Sequence, residues 1–165
     1  MKKLVFLLIF SAVAAFGIAR FNLGESGARR FLTQMESLMD EGRAEEVCDM
    51  FHEDLAAEIA DHSGAATHNL RAGKQQLCEL TRTTVAGLQQ LPHSMEVEYS
   101  DFKAKQQLSK PWTSEVTYSE HRTLSILGAN ASLHTVSEDE ITLVQTITGV
   151  KLRKLKSQVF KSEET

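Results

Sequence analysis

The sequence predicts an α+β domain in which three helices pack on one face of a curved antiparallel sheet. Between residues 28 and 91 the apolar side chains recur at helical spacing, whereas after Pro92 they alternate with a period of two. The alternation slips by one residue near Ser100 and again near Arg153. Such slips are typical of β-bulges, which curve a sheet, so we predict a curved meander against the helices.

Three helices are predicted because the helical spacing is interrupted twice, at Gly42 and in the tract 60–73. The first helix ends at Gly42, the second covers residues 44–55, and the third runs over residues 74–91 until Pro92 stops it. The tract between the second and third helices predicts a short strand and a loop. The apolar faces are formed by Phe31, Leu32, Met35, Leu38 and Met39, then by Ala44, Val47, Cys48, Phe51 and Leu55, and then by Leu77, Leu80, Val85, Leu88 and Leu91.

Four strands are predicted in the second half of the chain. The first begins at Met95, and the second covers residues 112–126 after the turn at Pro111. The third follows a turn at Gly128, and Gly149 then forms a tight hairpin that leads into the last strand. The apolar residues that define the inner faces of these strands include Met95, Val97, Tyr99, Val116, Tyr118, Leu124, Ile126, Leu133, Ile141, Leu143, Ile147, Val150 and Leu152.

The first nineteen residues predict a bacterial-type secretory leader. Lys2 and Lys3 precede an apolar run of sixteen residues, 4–19, and Arg20 follows it. A membrane-spanning helix needs about 20 apolar residues, so the short run favours a cleaved signal peptide over the alternative, an uncleaved anchor in the inner membrane. Both alternatives export the rest of the chain, to the periplasm or outside the cell. The predicted organisation is a leader or anchor over residues 1–19, a linker over 20–27, one domain over 28–160 and a disordered tail over 161–165.

Charge and cysteine content limit the chemistry that we expect of the exported part. Without Lys2 and Lys3 the chain carries 16 basic and 22 acidic side chains, a net charge of about −6 that gives no general attraction to nucleic acid. In an oxidising compartment Cys48 and Cys78 predict a disulfide that closes a loop of about 30 residues. The alternative is two buried free thiols. No spacing of cysteine and histidine predicts a metal site, and no motif predicts a cofactor.

The order of these elements resembles the nuclear transport factor 2-like superfamily, which includes the SnoaL-like polyketide cyclases. The similarity is carried by Phe51-His52-Glu53-Asp54-Leu55 at the end of the second helix, by Ala72-Gly73-Lys74 before the third, and by residues 146–152, which look like the terminal hairpin of the family. The resemblance covers residues 28–160. It implies a sheet that wraps around the helices into a cone, whose open end can hold a small molecule. Because this fold hosts enzymes, binding proteins and assembly modules, it leaves the function open.

Charged residues on the apolar face of the second strand predict a ligand pocket. Strict alternation places Trp112, Tyr118, Glu120 and Arg122 on that face, and charges that face a core need partners or water. Glu120 and Arg122 are two residues apart, so they can pair with each other or hold a polar ligand. Asp139 lies on the same face of the next strand. The alternatives are a bulge that turns Glu120 outward and a structural ion pair near the sheet edge.

Two further features have both a chemical and a structural interpretation. Asp61 and His62 are adjacent, and the resemblance places them where the family often carries catalytic acids, whereas the structural alternative is a solvated loop pair. The last strand is basic, with Lys151, Arg153, Lys154 and Lys156. Exposed lysines deter edge-to-edge aggregation, and the alternative is a docking surface for an acidic partner or an anionic lipid.

From the sequence we expect a non-enzymatic binding or interaction module. It takes a small apolar or amphipathic ligand in the cone, or forms a homodimer through the outer face of the sheet. The alternative is a SnoaL-like enzyme that transfers protons on a small hydrophobic substrate with Asp61, His62, Tyr118 or Glu120. A structural component with a protein partner in the envelope is a third hypothesis. Membrane contact is expected only through residues 4–19, if they are retained.

Overall fold

A computed structural model describes residues 17, 19, 21–64, 66–107, 109–128 and 131–162. Most of the predicted leader and the end of the predicted tail therefore lie outside the described residues. None of the helices in the described part of the chain is long and apolar enough to cross a membrane. The elements are the helices α1 (Glu25–Asp40), α2 (Ala44–Asp49) and α3 (Lys74–Leu88), and the strands β1 (Phe51–Asp61), β2 (His68–Gly73), β3 (His93–Gln106), β4 (Thr113–Ile126), β5 (Ala131–Thr146) and β6 (Gly149–Lys161).

The six strands form one sheet in the order β2-β1-β6-β5-β4-β3. Neighbouring strands are antiparallel except β1 and β6, which run parallel. The predicted antiparallel meander is confirmed for β3 to β6, whereas the complete sheet is mixed. The parallel pair arises because the chain leaves β1 through β2 and α3 and returns to its side only in β6.

The predicted second helix is wrong beyond Asp49, where α2 ends and strand β1 follows. Phe51 and Leu55 are buried as predicted, but they belong to the strand. Phe51 and Leu55 are four residues apart, an even separation that puts both side chains on the same face of a strand. Apolar residues four apart fit a helix as well as a strand, and here pairing with β6 decides between them.

The start of α1 differs from the predicted linker over residues 20–27, because the helix already begins at Glu25. Asn22 Nδ2 donates a hydrogen bond to Gln145 Oε1 at 3.2 Å, which attaches this segment to β5. Gly27 is required by the close approach, since a Cβ atom at this position would lie 2.1 Å from the Asn22 carbonyl oxygen. The domain therefore begins earlier in the chain than residue 28.

Both predicted phase slips are confirmed as shifts in the strand register. The β3–β4 pairing shifts between Ser100 and Lys103, where Asp101 has a φ of 50°. In β6, Leu152 and Lys154 pair with consecutive residues of β5, which leaves Arg153 as the extra residue. Between the helices and the inner face of this sheet lies the core, which includes Leu32, Leu38, Val47, Phe51, Leu55, Val116, Ile141, Leu143 and Leu152.

A disulfide joins the two helices that flank the β1–β2 hairpin. Cys48 on α2 and Cys78 on α3 are paired, as predicted, with their Cα atoms 5.3 Å apart and both side chains buried. Helix α3 also agrees with the sequence prediction at its start, and it ends at Leu88, shortly before Pro92. The bridge therefore fixes the helical layer on one side of the sheet.

Candidate functional site

Polar side chains gather on the inner face of the sheet, on β4 and β5. Arg122 Nη2 lies 2.6 Å from Glu120 Oε1, and the Glu120 side chain is only 12 % exposed. Tyr118 and Asp139 occupy opposed positions in the β4–β5 ladder and are both buried. The structure thus brings together four of the predicted pocket residues, and Glu120 pairs with Arg122.

Helix α1 adds an acid that the sequence prediction missed, Glu36, which interacts electrostatically with Glu120 and Arg122. Asp40 Oδ1 lies 3.3 Å from His93 Nε2, so this end of α1 lies beside the start of β3. The signal was present in the helical spacing, since Glu36 lies four residues after Leu32 and three before Met39, which both pack in the core. The inner-face cluster consists of Glu36, Tyr118, Glu120, Arg122 and Asp139.

Burial raises the pKa of Glu36 and Glu120. For Glu36, burial is the largest cause, the negative charge of Glu120 adds to it and Arg122 opposes it, which gives a pKa of about 7. Burial likewise raises the pKa of Glu120, against the effect of Arg122. A carboxyl group with a pKa near neutrality can both accept and donate a proton or hydrogen bond under ordinary conditions.

Asp139 and Tyr118 form the deeper part of the cluster. Burial raises the pKa of Asp139, although hydrogen bonds from Ser157, Ser137 and Tyr118 oppose the shift. Ser137 Oγ donates to Asp139 Oδ2 at 2.8 Å. Burial, together with the charges of Asp139 and Glu120, also raises the pKa of Tyr118, so its hydroxyl stays protonated.

Two buried polar atoms of the cluster, Glu36 Oε1 and Arg122 Nε, have no hydrogen-bond partner among the described residues. A buried polar atom without a partner costs about 1–3 kcal/mol, and few remain unpaired in folded proteins. The described residues contain no group of three or more histidine, cysteine or acidic side chains arranged to hold a metal ion. Within the described part of the chain the two atoms are therefore left without a partner, in contrast to most buried polar groups of folded proteins.

Apolar residues lie beyond the cluster on the inner face, at the end of the sheet where the β4–β5 turn is found. In the strand register Val97 and Thr135 flank Arg122 on either side. One row further on lie three apolar side chains that are half-buried or exposed, Met95, Leu124 and Leu133. The polar cluster is thus bordered on the inner face by these three apolar side chains, which we call the apolar rim.

Trp112 does not join the cluster, in contrast to the sequence prediction. It lies in the turn before β4 and is 44 % exposed. Glu120 is eight residues further along the strand, a separation of about 26 Å in an extended chain. Alternation predicts which face a side chain shares but carries no information about distance along the strand.

Asp61 and His62 also lie away from the cluster, at the end of β1. The strand register places Asp61 three strands from Glu120, about 14 Å away. Asp61 Oδ1 accepts hydrogen bonds from Ser63 N at 2.8 Å and Ser63 Oγ at 2.6 Å, which lower the pKa of the carboxyl. The His62 ring stacks on Phe160 with centroids 5.2 Å apart. These contacts organise the loop between β1 and β2.

Comparison with known proteins identifies the fold. No protein-family model and no curated protein matches the chain. An NTF2-like protein with a cystatin-like fold from Novosphingobium aromaticivorans is 18% identical over 93% of this chain and 91% of that one, with a TM-score of 0.63. The beta subunit of a benzoate 1,2-dioxygenase from Burkholderia mallei is 11% identical over 81% of this chain and 89% of that one, with a TM-score of 0.59. A ketosteroid isomerase-like protein from Erwinia carotovora atroseptica is 14% identical over 87% of this chain and 98% of that one, with a TM-score of 0.52. The chain therefore has the nuclear transport factor 2-like fold that the sequence resemblance implied.

The raised pKa of Glu36 predicts a pH-dependent stability. Its value of about 7 in the folded protein exceeds the 4.5 of an unperturbed glutamate, so the folded state binds more protons between these pH values. Stability contributed by Glu36 is therefore present below about pH 4.5, falls as the pH rises through about 7, and stays low above it. Between about pH 5 and pH 8 we expect the free energy of unfolding of wild type to fall by about 1–2 kcal/mol more than that of Glu36→Gln. The difference is smaller than the full pKa shift implies, because solvent screens this half-buried group.

Urea unfolding at several pH values measures this difference. Glu25→Gln, an exposed position in the first turn of the same helix, is the matched control and should retain the wild-type pH profile. Parallel profiles for wild type and Glu36→Gln would contradict the prediction.

Proposed function

We propose that this chain is an exported ligand-binding domain whose binding site is the inner-face cluster. The observation that carries the proposal is the pair of unpartnered buried atoms, Glu36 Oε1 and Arg122 Nε, beside an apolar rim. Binding sites for small molecules combine apolar walls with a few fixed polar groups. This arrangement favours a small amphipathic molecule whose polar group contacts the cluster and whose apolar part covers the rim.

The charges of the cluster favour a neutral polar group on the ligand. Arg122 is already paired with Glu120, so a free anion gains little from it. Glu36 becomes negatively charged above about pH 7 and then repels anions. A hydroxyl or carbonyl oxygen can accept from Arg122 Nε, and a hydroxyl can also donate to Glu36.

Export is supported by the apolar leader sequence and by the Cys48–Cys78 disulfide. The outer face of the sheet is the competing interaction surface for a homodimer. Its exposed residues on β3 to β6 are largely charged and include Glu98, Lys103, Glu115, Glu138, Glu140, Lys154 and Lys156. Homodimer interfaces are on average more apolar than this, so we favour the inner face as the functional surface.

Calorimetric titration with 2-naphthol tests the proposal, with naphthalene and naphthalene-2-sulfonate as matched probes. We expect 2-naphthol to bind about tenfold more tightly than naphthalene, because one added hydrogen bond satisfies buried groups. The sulfonate should bind less tightly than 2-naphthol, and its affinity should fall further above about pH 7. Equal affinities for all three compounds, or unchanged 2-naphthol binding in Arg122→Met, would contradict the proposal.

A second candidate function, proton transfer on the bound molecule, is favoured by the pKa of about 7 at Glu36. A carboxyl group with this value can remove a proton beside a carbonyl group and return it. Hydrogen–deuterium exchange of 2-tetralone, followed by NMR, is the appropriate assay. We expect an enzyme to accelerate exchange and Glu36→Gln to abolish the acceleration while 2-tetralone still binds. Binding without any acceleration would favour the non-enzymatic function.

A further inference from the structure

A second surface, termed the basal face, lies at the end of the domain opposite the apolar rim. It is formed by the β3–β4 turn, the β5–β6 turn and the segment that enters α1. Phe21, Trp112 and Ile147 are exposed there, and Ile147 projects fully from the β5–β6 turn. Asn22 bonds to the Gln145 side chain, and Gln145 N donates to Trp112 O at 2.9 Å. These bonds hold the three segments together as one surface.

Basic side chains accompany these apolar residues. Arg30 lies over the Phe21 ring, 4.9 Å from its centroid. Beside the β3–β4 turn, a groove of about 280 Å³ contains a single acidic residue, Glu115. Four basic residues line this groove, Lys105, Lys110, Arg153 and Lys154. None of these four forms an ion pair with another residue in the described part of the chain.

The bulge in β6 explains why this groove is strongly basic. In a regular strand Arg153 and Lys154 would point to opposite faces of the sheet. Because Arg153 is the extra residue of the bulge, both side chains line the same groove. The complete chain has a net charge of −4, whereas this groove carries four basic residues and one acidic residue, so its charge is opposite in sign to that of the whole protein.

We propose that the basal face binds the surface of a membrane that contains anionic phospholipids. Tryptophan and exposed aliphatic side chains suit the headgroup region of a bilayer. Each basic residue near an anionic membrane strengthens binding by about fivefold. Only Arg20 separates the apolar residues 4–19 from Phe21 in the sequence, so a retained leader joins the domain at this same face. This inference goes beyond ligand binding, because the inner-face cluster lies toward the opposite end of the domain.

Fluorescence of Trp112 tests this proposal directly, because it is the only tryptophan in the sequence. The full-length protein is mixed with phosphatidylcholine vesicles that contain or lack phosphatidylglycerol, with brominated lipid and aqueous iodide as alternative quenchers. With phosphatidylglycerol we expect a blue-shifted emission, quenching by the brominated lipid and protection from iodide. Without it, the ratio of membrane-contacting to free Trp112 should fall by about tenfold or more.

Two sets of variants and one control make the test specific. Lys110→Glu combined with Lys154→Glu should lower the same ratio by about 25-fold or more, and Ile147→Asp should lower it as well. Leu127→Asp changes an exposed aliphatic residue in the β4–β5 turn, at the opposite end, and should have no effect. Each variant is first shown to keep the wild-type emission spectrum without vesicles.

Three results would overturn the proposal. If Trp112 stays accessible to iodide on vesicles with phosphatidylglycerol, the leader alone attaches the protein. If Leu127→Asp acts as strongly as Ile147→Asp, the effect is not specific to the basal face. If Trp112 becomes protected without lipid as the protein concentration rises, the face contacts a second copy of the chain.

Discussion

Replacing Arg122 with methionine is expected to weaken 2-naphthol binding by about tenfold, to the affinity of naphthalene, and to destabilise the domain by about 2 kcal/mol. Methionine keeps the aliphatic stem but removes the charge, so the 12 % exposed Glu120 loses the partner that lies 2.6 Å away. Loss of one partner from a fully buried pair costs about 3–5 kcal/mol, and the partial exposure of Arg122 reduces this. Urea unfolding and calorimetric titration measure the two effects.

The double variant Arg122→Met with Glu120→Gln separates stability from binding. It leaves no unpaired charge, so we expect it to recover most of the lost stability. It still lacks the guanidinium donor, so 2-naphthol binding should remain about tenfold weaker than in wild type. Recovery of binding in the double variant would show that the single variant had lost affinity through misfolding, and that the cluster is not the site.

Replacing Cys48 and Cys78 together with alanine is expected to lower the free energy of unfolding by about 3 kcal/mol. The bridge spans 30 residues of sequence that include β1 and the edge strand β2, and it limits the freedom of this segment in the unfolded chain. Unfolding of wild type in urea with and without dithiothreitol should show a similar loss. The alanine variant is the control, because its unfolding should not respond to dithiothreitol. Wild-type stability that is insensitive to reduction would contradict the prediction.

Strands β3 to β6 were predictable from the sequence, because alternation of apolar and polar residues over such long segments fits a strand and not a helix. A period of two interrupted near Ser100 and Arg153 gives the strands, most of their inner faces and the positions of both bulges. The prediction is wrong for Ile147, which was placed on an inner face but is fully exposed in the β5–β6 turn, because β5 ends at Thr146. Strand β1 was not predictable in the same way. Phe51 and Leu55 satisfy helical spacing, and only pairing with β6, which lies about a hundred residues away in the chain, makes this segment a strand.

The candidate site was predictable where it depends on strand alternation alone. Alternation placed Tyr118, Glu120 and Arg122 on the inner face, and the structure has them there. It also placed Trp112 on that face, although the residue lies in the turn before β4. Helical spacing from Leu32 and Met39 puts Glu36 on the inner face of α1. Its place beside Glu120 and Arg122 depends on how α1 crosses the sheet, which a single helical segment does not determine.

A carbon-13 NMR titration of the glutamate carboxyl groups, with and without 2-naphthol, tests the central claim most directly. The resonance that disappears in Glu36→Gln should titrate at a pH of about 7 in the free protein. Saturation with 2-naphthol should then change both its chemical shift and its pKa, because the hydroxyl group contacts this carboxyl. A Glu36 resonance that titrates near 4.5 and does not respond to 2-naphthol would contradict a ligand site at the inner-face cluster.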